Sequence, residues 1–309
     1  MSGEAPLIAA IEAGGTKFNC ALGRGPGEIL ETVRIPTTEP KQTLEEVGRW
    51  LSLVKARHGA FAAIGVGCFG PVDLDEKSQT YGYITTTPKP GWQNTDVLGG
   101  LKNRFQVPMA FDTDVNGAAL GEYLWGAGQQ KDPLVYVTIG TGVGGGVLVN
   151  GRLLHGLLHP EIGHMQVPPP KKSKAVMRRG QCPFHAHCVE GYVSGPAIAK
   201  RWGVRPERLP VDSPAWEEVG EVLAYLCLNL TLTLSPKRII LGGGVMEQEQ
   251  VLSMVHGAFI KLMNGYIRQP EMNAKIGDYI TRPMLGANAG LLGALALGRM
   301  AANAAAGRA

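Results

Sequence analysis

Short apolar runs bounded by glycine or proline alternate with longer amphipathic segments along most of this chain. Apolar residues at Leu44, Val47, Leu51 and Val54 recur at helical spacing, which predicts a helix over 43–58. Strand-like runs with helical segments between them indicate an α/β fold. The predicted strands cover 7–11, 18–22, 61–68, 107–111, 134–139, 147–149 and 238–241, and further helices cover 98–105 and 118–125 or begin at Ser194, Ser213 and Leu285.

Two stretches share a strand–glycine turn–strand pattern and lie about 130 residues apart, at Gly14-Gly15-Thr16-Lys17 and at Gly140-Thr141-Gly142. A bare turn brings backbone N–H groups close to phosphate oxygens, and Thr16 and Lys17 add a hydroxyl group and a cation. For the first turn alone, a plain tight hairpin is an equally good interpretation. The two copies suggest a duplicated α/β fold with two phosphate-contacting turns facing each other. A strand follows the glycines, so the pattern is not the dinucleotide-binding fingerprint, which requires a helix there.

Two other turns with glycine follow predicted strands. Gly242-Gly243-Gly244 precedes a helix rich in Glu and Gln, and its bare backbone can accept a flat base and a ribose. Gly70-Pro71 comes at the end of a strand, where α/β proteins place ligand loops, although a plain turn is the alternative.

Two aspartates, Asp112 and Asp114, stand between the strand over 107–111 and the helix over 118–125. A carboxylate at the tip of a strand is well placed as a general base. An acid just before a helix can instead cap it, and with two aspartates one can cap while the other acts as base. The polar loop over 81–96 is long for a mere connection, and its threonines, Asn94 and Trp92 suit the hydroxyl groups and apolar face of a sugar.

The segment over 159–190 combines soft metal ligands with carboxylates. His164, Cys182, His185 and Cys188 fit a closed tetrahedral zinc site, and Glu161 and Glu190 stand beside those ligands. His187 competes with His185 as a ligand, and the thiols could instead be ordinary buried side chains. The basic residues of this segment are interpreted as a solvated loop, with attraction to an anionic substrate as the alternative; they are Lys171, Lys172, Lys174, Arg178 and Arg179.

Composition narrows the class of protein. The 309 residues are 44% hydrophobic and 18% charged, as in a globular protein, and a net charge of +4 argues against nucleic acid or anionic membrane as partners. Glycines interrupt the apolar region over 284–306, so it makes a poor membrane span. Five cysteines, an odd number, do not form a disulfide scaffold, and the first residues lack a secretory pattern. We expect a cytoplasmic protein.

These motifs, in this order, resemble those of the ROK family of sugar kinases within the actin/hexokinase-like ATPase superfamily. The resemblance covers essentially the whole chain, and the start at 11–17 and the Cys-x2-His-x2-Cys pattern are similar to the bacterial fructokinase branch. Glucokinase-like members usually have Asp at the position of Glu12 and a different cysteine cluster. The resemblance implies a duplicated actin-like/ribonuclease H-like ATPase fold with two domains and a central cleft. We expect a small domain over 1–117, a large domain over 118–285 with a zinc-containing insertion, and a C-terminal helix over 286–309 that packs back on the small domain.

The same resemblance implies ATP and a hexose as ligands, Mg²⁺ near Glu12, Zn²⁺ in the insertion, and a homodimer. Asp114 would deprotonate the sugar 6-hydroxyl that attacks the γ-phosphoryl group, and His164 would contact sugar, zinc or both. The implied sugar-binding residues are Gly70, Asn94, Thr113, Asp114, Glu161, His164 and Glu190. The implied ATP-binding residues are Gly14, Gly15, Thr16, Lys17, Gly140, Thr141, Gly142, Gly195, Pro196, Gly243 and Gly244.

Fructose is the expected substrate, with glucose, mannose or an amino sugar as alternatives. A sugar-responsive repressor of the same family would carry a helix-turn-helix segment before the first strand, where only six residues stand here. A non-catalytic sugar-binding protein would have no need of Asp114.

Overall fold

The computed structural model describes residues 5–170 and 173–307, so Lys171 and Lys172 of the basic segment lie outside the described residues. The chain divides into two compact units. The first unit comprises 1–126, 155–159 and 287–309, and the second comprises 127–154 and 160–286.

The strands and helices follow the alternation that the sequence predicts. The strands are β1 (Ile8–Ala13), β2 (Lys17–Gly25), β3 (Glu28–Pro36), β4 (Ala63–Cys68), β5 (Tyr83–Ile84), β6 (Thr95–Asp96), β7 (Met109–Thr113), β8 (Leu134–Ile139), β9 (Val143–Val149), β10 (Arg152–Leu153), β11 (Arg238–Gly242) and β12 (Ile280–Thr281). The α-helices are α1 (Pro40–His58), α2 (Leu98–Arg104), α3 (Asp114–Trp125), α4 (Val189–Val193), α5 (Gly195–Trp202), α6 (Pro214–Leu234), α7 (Glu249–Met263), α8 (Ile276–Tyr279) and α9 (Ala289–Ala305).

The first unit is built on a five-stranded sheet in the order β3-β2-β1-β4-β7. The first three strands pair antiparallel, whereas β4 joins β1 in parallel and β7 joins β4 in parallel. The strands β1 and β4 are almost entirely buried, as expected for strands that are covered on both faces.

The second unit repeats this topology with a sheet in the order β10-β9-β8-β11-β12. Here β9 pairs antiparallel with both β8 and β10, and β11 lies parallel to β8 and to β12. The two sheets therefore have the same strand order and the same directions, which confirms the duplicated α/β fold predicted from the two glycine hairpins. Within the described part of the chain, no helix combines the length and the apolar character that a membrane span needs.

The division of the chain differs from the expected one at two places. The first unit continues to Gly126 rather than Gly117, because α3 runs on without interruption to Trp125. The segment 155–159, expected in the large domain, belongs to the first unit, because His155 and His159 both bond to residues of that unit.

The C-terminal helix α9 packs on the first unit through glycines. A Cβ atom at Gly65 of β4 would lie 1.9 Å from the carbonyl oxygen of Ala294. A Cβ atom at Gly293 would lie 2.0 Å from the carbonyl oxygen of Gly117 in α3. Backbone therefore meets backbone on two sides of α9, and no rotamer change can make room for a side chain at these positions.

We predict that Gly293→Ala destabilises the protein by about 1–3 kcal/mol, because the added methyl group overpacks a backbone contact. Gly257→Ala is the matched control, since Gly257 lies in helix α7 with nothing within 4 Å of the added Cβ. Replacing this exposed helical glycine removes unfolded-state freedom and should stabilise by about 0.5–1 kcal/mol. Urea denaturation measures both, and a Gly293→Ala protein as stable as wild type would contradict the packing.

Candidate functional site

The first glycine turn joins β1 to β2. The amide of Gly14 donates to the carbonyl oxygen of Lys17 at 3.0 Å, and a Cβ atom at Gly14 would lie 2.8 Å from that oxygen. Gly15 has no atom within 4 Å of its Cβ position, and the side chains of Thr16 and Lys17 are exposed. The turn therefore offers open backbone, a hydroxyl group and an ammonium group together, as an anion site requires.

Glu12 lies just before this turn, on β1. Its carboxylate accepts a hydrogen bond of 2.7 Å from Nδ2 of Asn19. The other oxygen packs against Gly290 near the start of α9, where an added Cβ would lie 2.0 Å from it. Burial raises the pKa of Glu12 above its usual value, and the Asn19 hydrogen bond offsets part of this effect. Asn19 thus orients one oxygen, and the close approach of Gly290 leaves little space beside the other.

Asp114 opens helix α3, directly after β7. Thr113 caps the helix by accepting a hydrogen bond of 3.0 Å from the amide of Asn116. The alternative interpretation, in which an aspartate caps this helix, is therefore wrong, because a threonine hydroxyl does so. Asp114 is half-buried, and its Oδ1 accepts a hydrogen bond of 2.9 Å from the amide of Val115.

Asp112 is the buried carboxylate of the pair, and its surroundings were not predicted. Its Oδ1 accepts hydrogen bonds from the amide of Thr113 at 2.7 Å and from Nδ2 of Asn116 at 2.6 Å. Its Oδ2 lies 2.9 Å from Nε2 of His155. The hydrogen bond to Asp112 raises the pKa of His155 above its usual value, against the opposing effect of partial burial. These contacts fix the strand end on both sides of Asp114.

The polar loop over 81–96 is arranged differently from the expectation. Trp92 is fully buried, donates from Nε1 to the carbonyl oxygen of Thr38 at 2.8 Å and packs against Phe18 and Phe69. It belongs to the core and offers no face to a sugar. Asn94 is exposed at a φ of 55°. A Cβ atom at Gly70 would lie 3.5 Å from the ring of the buried His159.

The second glycine turn, in the other unit, is bound to two other predicted ATP-binding segments. The amide of Gly140 donates to the carbonyl oxygen of Gly142 at 2.9 Å, and the amide of Gly195 at the start of α5 donates to the carbonyl oxygen of Gly140 at 2.8 Å. Gly243 has a φ of 89°, and its Cβ position lies 2.5 Å from backbone atoms of Ile139. The structure thus brings the three segments together, with Pro196 following Gly195 and Gly244 having open space beside it.

Glu161 directly precedes a short 3-10 helix over Ile162–His164, and His164 is its last residue. This helix lies against the start of β9, since a Cβ at Gly163 would be 1.9 Å from the carbonyl oxygen of Val143. Desolvation by surrounding protein atoms and the neighbouring negative charge of Glu190 raise the pKa of Glu161, although its side chain remains exposed at the surface. The two carboxylates are therefore electrostatic neighbours.

The predicted metal ligands converge. One ligand atom each of His164, Cys182, His185 and Cys188 lies within 4.8 Å of the others. Sγ of Cys182 is 3.8 Å from Nδ1 of His164 and 3.8 Å from Nδ1 of His185. Zinc bonds of about 2.0–2.3 Å would place tetrahedral ligands about 3.5 Å apart, so this donor set fits a zinc ion after a small contraction.

His187, the competing ligand, is engaged elsewhere. Its Nδ1 lies 2.6 Å from the hydroxyl oxygen of Tyr192, and the two rings stack with 10° between their planes. His185 is therefore the histidine that the structure places with the cysteines, a choice that the spacing left open.

Glu190 connects this cluster to the second glycine turn. Its Oε2 accepts a hydrogen bond of 2.9 Å from the amide of Val143, the first residue of β9. A Cβ atom at Gly142 would lie 2.9 Å from the same oxygen. Sequence reasoning missed this contact and the Asp112–His155 pair, because partners 47 and 43 residues apart leave no local pattern.

Comparisons with known proteins agree with this arrangement. A protein of Bacillus subtilis (strain 168) is 46% identical over 96% of this chain and 97% of its own. A fructokinase of Pediococcus pentosaceus is 41% identical over 96% of this chain and 98% of its own. Among solved structures, a ROK family glucokinase from Streptomyces griseus in complex with glucose and AMPPNP has a TM-score of 0.75 at 24% identity, over 95% of this chain and 99% of that one.

The duplicated sheets and the structural likeness define an actin-like ATPase fold of the kind found in ROK kinases. The ROK family model matches residues 8–301. The chain belongs to the ROK family, as its motifs indicate.

We predict a pH-dependent contribution of His155 to stability. The folded protein holds the His155 proton more tightly than the unfolded chain, so the contribution is complete below the usual pKa of 6.5. It is lost as the pH rises through the higher folded pKa. His155→Gln, which can still donate to Asp112, should therefore lower the free energy of unfolding most below pH 6.5 and less at alkaline pH.

Urea denaturation across the pH range measures this difference, and an NMR titration of the His155 ring reports its pKa directly. Asp112→Asn in the same series should remove the same pH-dependent part, since it removes the partner. A difference between wild type and His155→Gln that is constant with pH would contradict the prediction.

Proposed function

We propose that this protein is an ATP-dependent fructokinase, which transfers the γ-phosphoryl group of ATP to the 6-hydroxyl of D-fructose. The observation that carries the proposal is the 41% identity to a fructokinase over nearly the full length of both chains, with Asp114 at a strand end. Glu12 also favours the fructokinase branch over glucokinase-like members, which usually have Asp there.

Phosphoryl transfer needs a positioned hydroxyl group, a base to accept its proton and groups that neutralise phosphate charge. In the first unit, we assign the base to Asp114. Its half-buried carboxylate is held by the amide of Val115, and the Thr113 cap and Asp112 fix the backbone around it. Gly70, Asn94 and Thr113 are assigned to the sugar, and the turn of Gly14, Gly15, Thr16 and Lys17 to phosphate.

In the second unit, Glu161, His164 and Glu190 are assigned to sugar hydroxyl groups. His164 can also ligate a metal, because Nδ1 faces Cys182 and leaves Nε2 on the opposite side of the ring for a hydroxyl group. The turn of Gly140, Thr141 and Gly142, with Gly195 and Pro196, is assigned to the nucleotide phosphates. Gly243 and Gly244 are assigned to the adenosine, since their bare backbone presents no side chain to it.

Two metal ions belong to this proposal. Zinc would be held by His164, Cys182, His185 and Cys188, whose two thiols and two imidazoles are the donors that zinc prefers, and it would supply a structural crosslink. Mg²⁺ would accompany ATP and neutralise its phosphates. Glu12 would lie near Mg²⁺, since its carboxylate stands just before the first glycine turn and is oriented by Asn19.

We predict that Asp114→Asn lowers kcat by about 10²–10⁴-fold, because the amide cannot accept the hydroxyl proton. The amide keeps the size of the side chain, so the free energy of unfolding should change little. A coupled ADP-release assay with excess ATP and Mg²⁺ measures the effect. Glu45→Gln, an exposed change on α1, is the matched control and should keep wild-type turnover.

The same assay tests the substrate with a panel of fructose, glucose, mannose, N-acetylmannosamine and N-acetylglucosamine. Fructose should give the highest kcat/KM. Near-normal turnover in Asp114→Asn would remove the assigned base, whereas a higher kcat/KM for another sugar would overturn only the fructose assignment.

We predict that the purified protein holds a single zinc ion and that His185→Gln and Cys182→Ser each lose it. His187→Gln is the matched control and should retain zinc, because that ring pairs with Tyr192 instead. Metal analysis by mass spectrometry measures the content, and thermal unfolding with and without a chelator measures the stability that zinc supplies. Zinc loss in His187→Gln together with retention in His185→Gln would reverse the ligand assignment.

A further inference from the structure

Glu190 contacts backbone that the sugar assignment does not involve. Its Oε2 accepts the hydrogen bond from the amide of Val143 and lies beside Gly142, the last residue of the glycine turn. Val143 is buried, so its amide has poor access to water if the carboxylate is removed. A buried amide without an acceptor is costly, so the side chain has a strong influence on the backbone at this point.

Two backbone hydrogen bonds hold the turn itself, one from the amide of Gly140 to the carbonyl oxygen of Gly142 and one from the amide of Gly195 to the carbonyl oxygen of Gly140. Thr141 at the tip is exposed. The sheet pairing of Ile139 with Val143 holds the two strands on either side of the turn, and the hydrogen bond from Val143 to Glu190 adds a side-chain restraint where the turn enters β9.

Glu190 is in turn held by residues 181–188, here called the cysteine segment. It lies on the short helix α4 that begins directly after Cys188. The amide of Gln181 donates to the carbonyl oxygen of Gly191 at 2.7 Å, and a Cβ atom at Gly191 would lie 3.0 Å from the amide nitrogen of Cys182. The cysteine segment thus packs on both sides of Glu190 along the chain and sets where its carboxylate reaches.

We infer that Glu190 is a positioning residue for the nucleotide-phosphate turn, acting through the amide of Val143, and that the metal cluster supports it in this role. The inference rests on the proposed assignment of the Gly140–Gly142 turn to phosphate. It separates two functions of one carboxylate: one oxygen orients the turn, and the other remains for the sugar. Nucleotide binding therefore depends on Glu190 even when no sugar is present.

Substitutions of Glu190 can separate the effect of side-chain length from the effect of its negative charge. Glu190→Gln keeps an oxygen that can accept from Val143 but removes the charge, and Glu190→Asp keeps the charge but shortens the reach. Glu190→Ala removes both. We expect Glu190→Gln to bind Mg·AMPPNP at least as tightly as wild type, because the negative charge beside a phosphate site is also removed.

Glu190→Asp and Glu190→Ala should bind Mg·AMPPNP about tenfold more weakly, as expected for the loss of one hydrogen bond to a buried amide. Isothermal titration calorimetry without sugar measures these affinities. Glu217→Ala, an exposed carboxylate in the first turn of α6, is the matched control and should bind as wild type does.

Removal of the metal provides a second test, which again measures the affinity for Mg·AMPPNP. Treating wild type with a chelator should weaken Mg·AMPPNP binding after the chelator has been removed by gel filtration. The same treatment should have a smaller effect on Glu190→Ala, because two changes that act through one contact are not additive.

The outcomes distinguish the inference from the proposed function. Wild type that fails to bind Mg·AMPPNP would overturn the kinase assignment. Wild type that binds, with Glu190→Ala or Glu190→Asp equally tight, would overturn the positioning role alone. Weak binding in Glu190→Gln with wild-type binding in Glu190→Asp would also overturn it, since charge and not reach would then decide. Far-ultraviolet circular dichroism checks that each variant is folded.

Discussion

Backbone segments that approach one another too closely for any side chain hold the functional strand ends in place. In the first unit, α9 lies against both β4 and α3, at Gly65 and at Gly293. In the second unit, Gly163 brings the Glu161–His164 segment onto β9, and Gly243 brings β11 onto Ile139. Three of these contacts involve elements that carry or adjoin candidate site residues: α3 begins at Asp114, the Gly163 contact lies between Glu161 and His164, and Gly243 is itself assigned to the nucleotide. Because backbone cannot change rotamer, such contacts position those residues more firmly than side-chain packing would.

The two units differ in how they surround their candidate carboxylates. In the first, Asp112 is buried and balanced by amide donors and by His155, while Asp114 stays half-buried at the helix start. In the second, burial and then the like charge of the neighbouring Glu190 raise the pKa of Glu161. Like-charged neighbours cost free energy unless a ligand offers donors to both, and sugar hydroxyl groups are such donors. The pair therefore suits a polyhydroxyl ligand better than an anion.

The sequence was sufficient for features that depend on neighbouring residues. The two glycine hairpins showed the duplication, and the strand before Asp114 located the β7–α3 junction. The Cys-x2-His-x2-Cys spacing grouped the four ligand residues that the structure brings together. Features that depend on distant residues were missed or misread. The polar loop sequence predicts that Trp92 faces a sugar, whereas contacts with Phe18, Thr38 and Phe69 place it in the core. Thr113 took the capping role because its hydroxyl, not a carboxylate, reaches the amide of Asn116.

The cysteine segment also has support that does not depend on a metal. Arg201 on α5 is buried, forms an ion pair with Glu218 on α6, and donates from Nε to the carbonyl oxygen of Met177 at 3.1 Å. Its guanidinium group lies over the ring of Tyr192, 4.7 Å from the centroid, and Tyr192 in turn holds His187. The hydrogen bond to Met177 and the stacking on Tyr192 therefore tie α5 to one side of the segment. A bound metal would therefore affect only the ligand residues, by drawing Cys182 and His185 closer to Cys188 and His164. The two nearby histidines therefore have different partners. The ion pair and Tyr192 hold His187 away from the thiols, while His185 remains beside them.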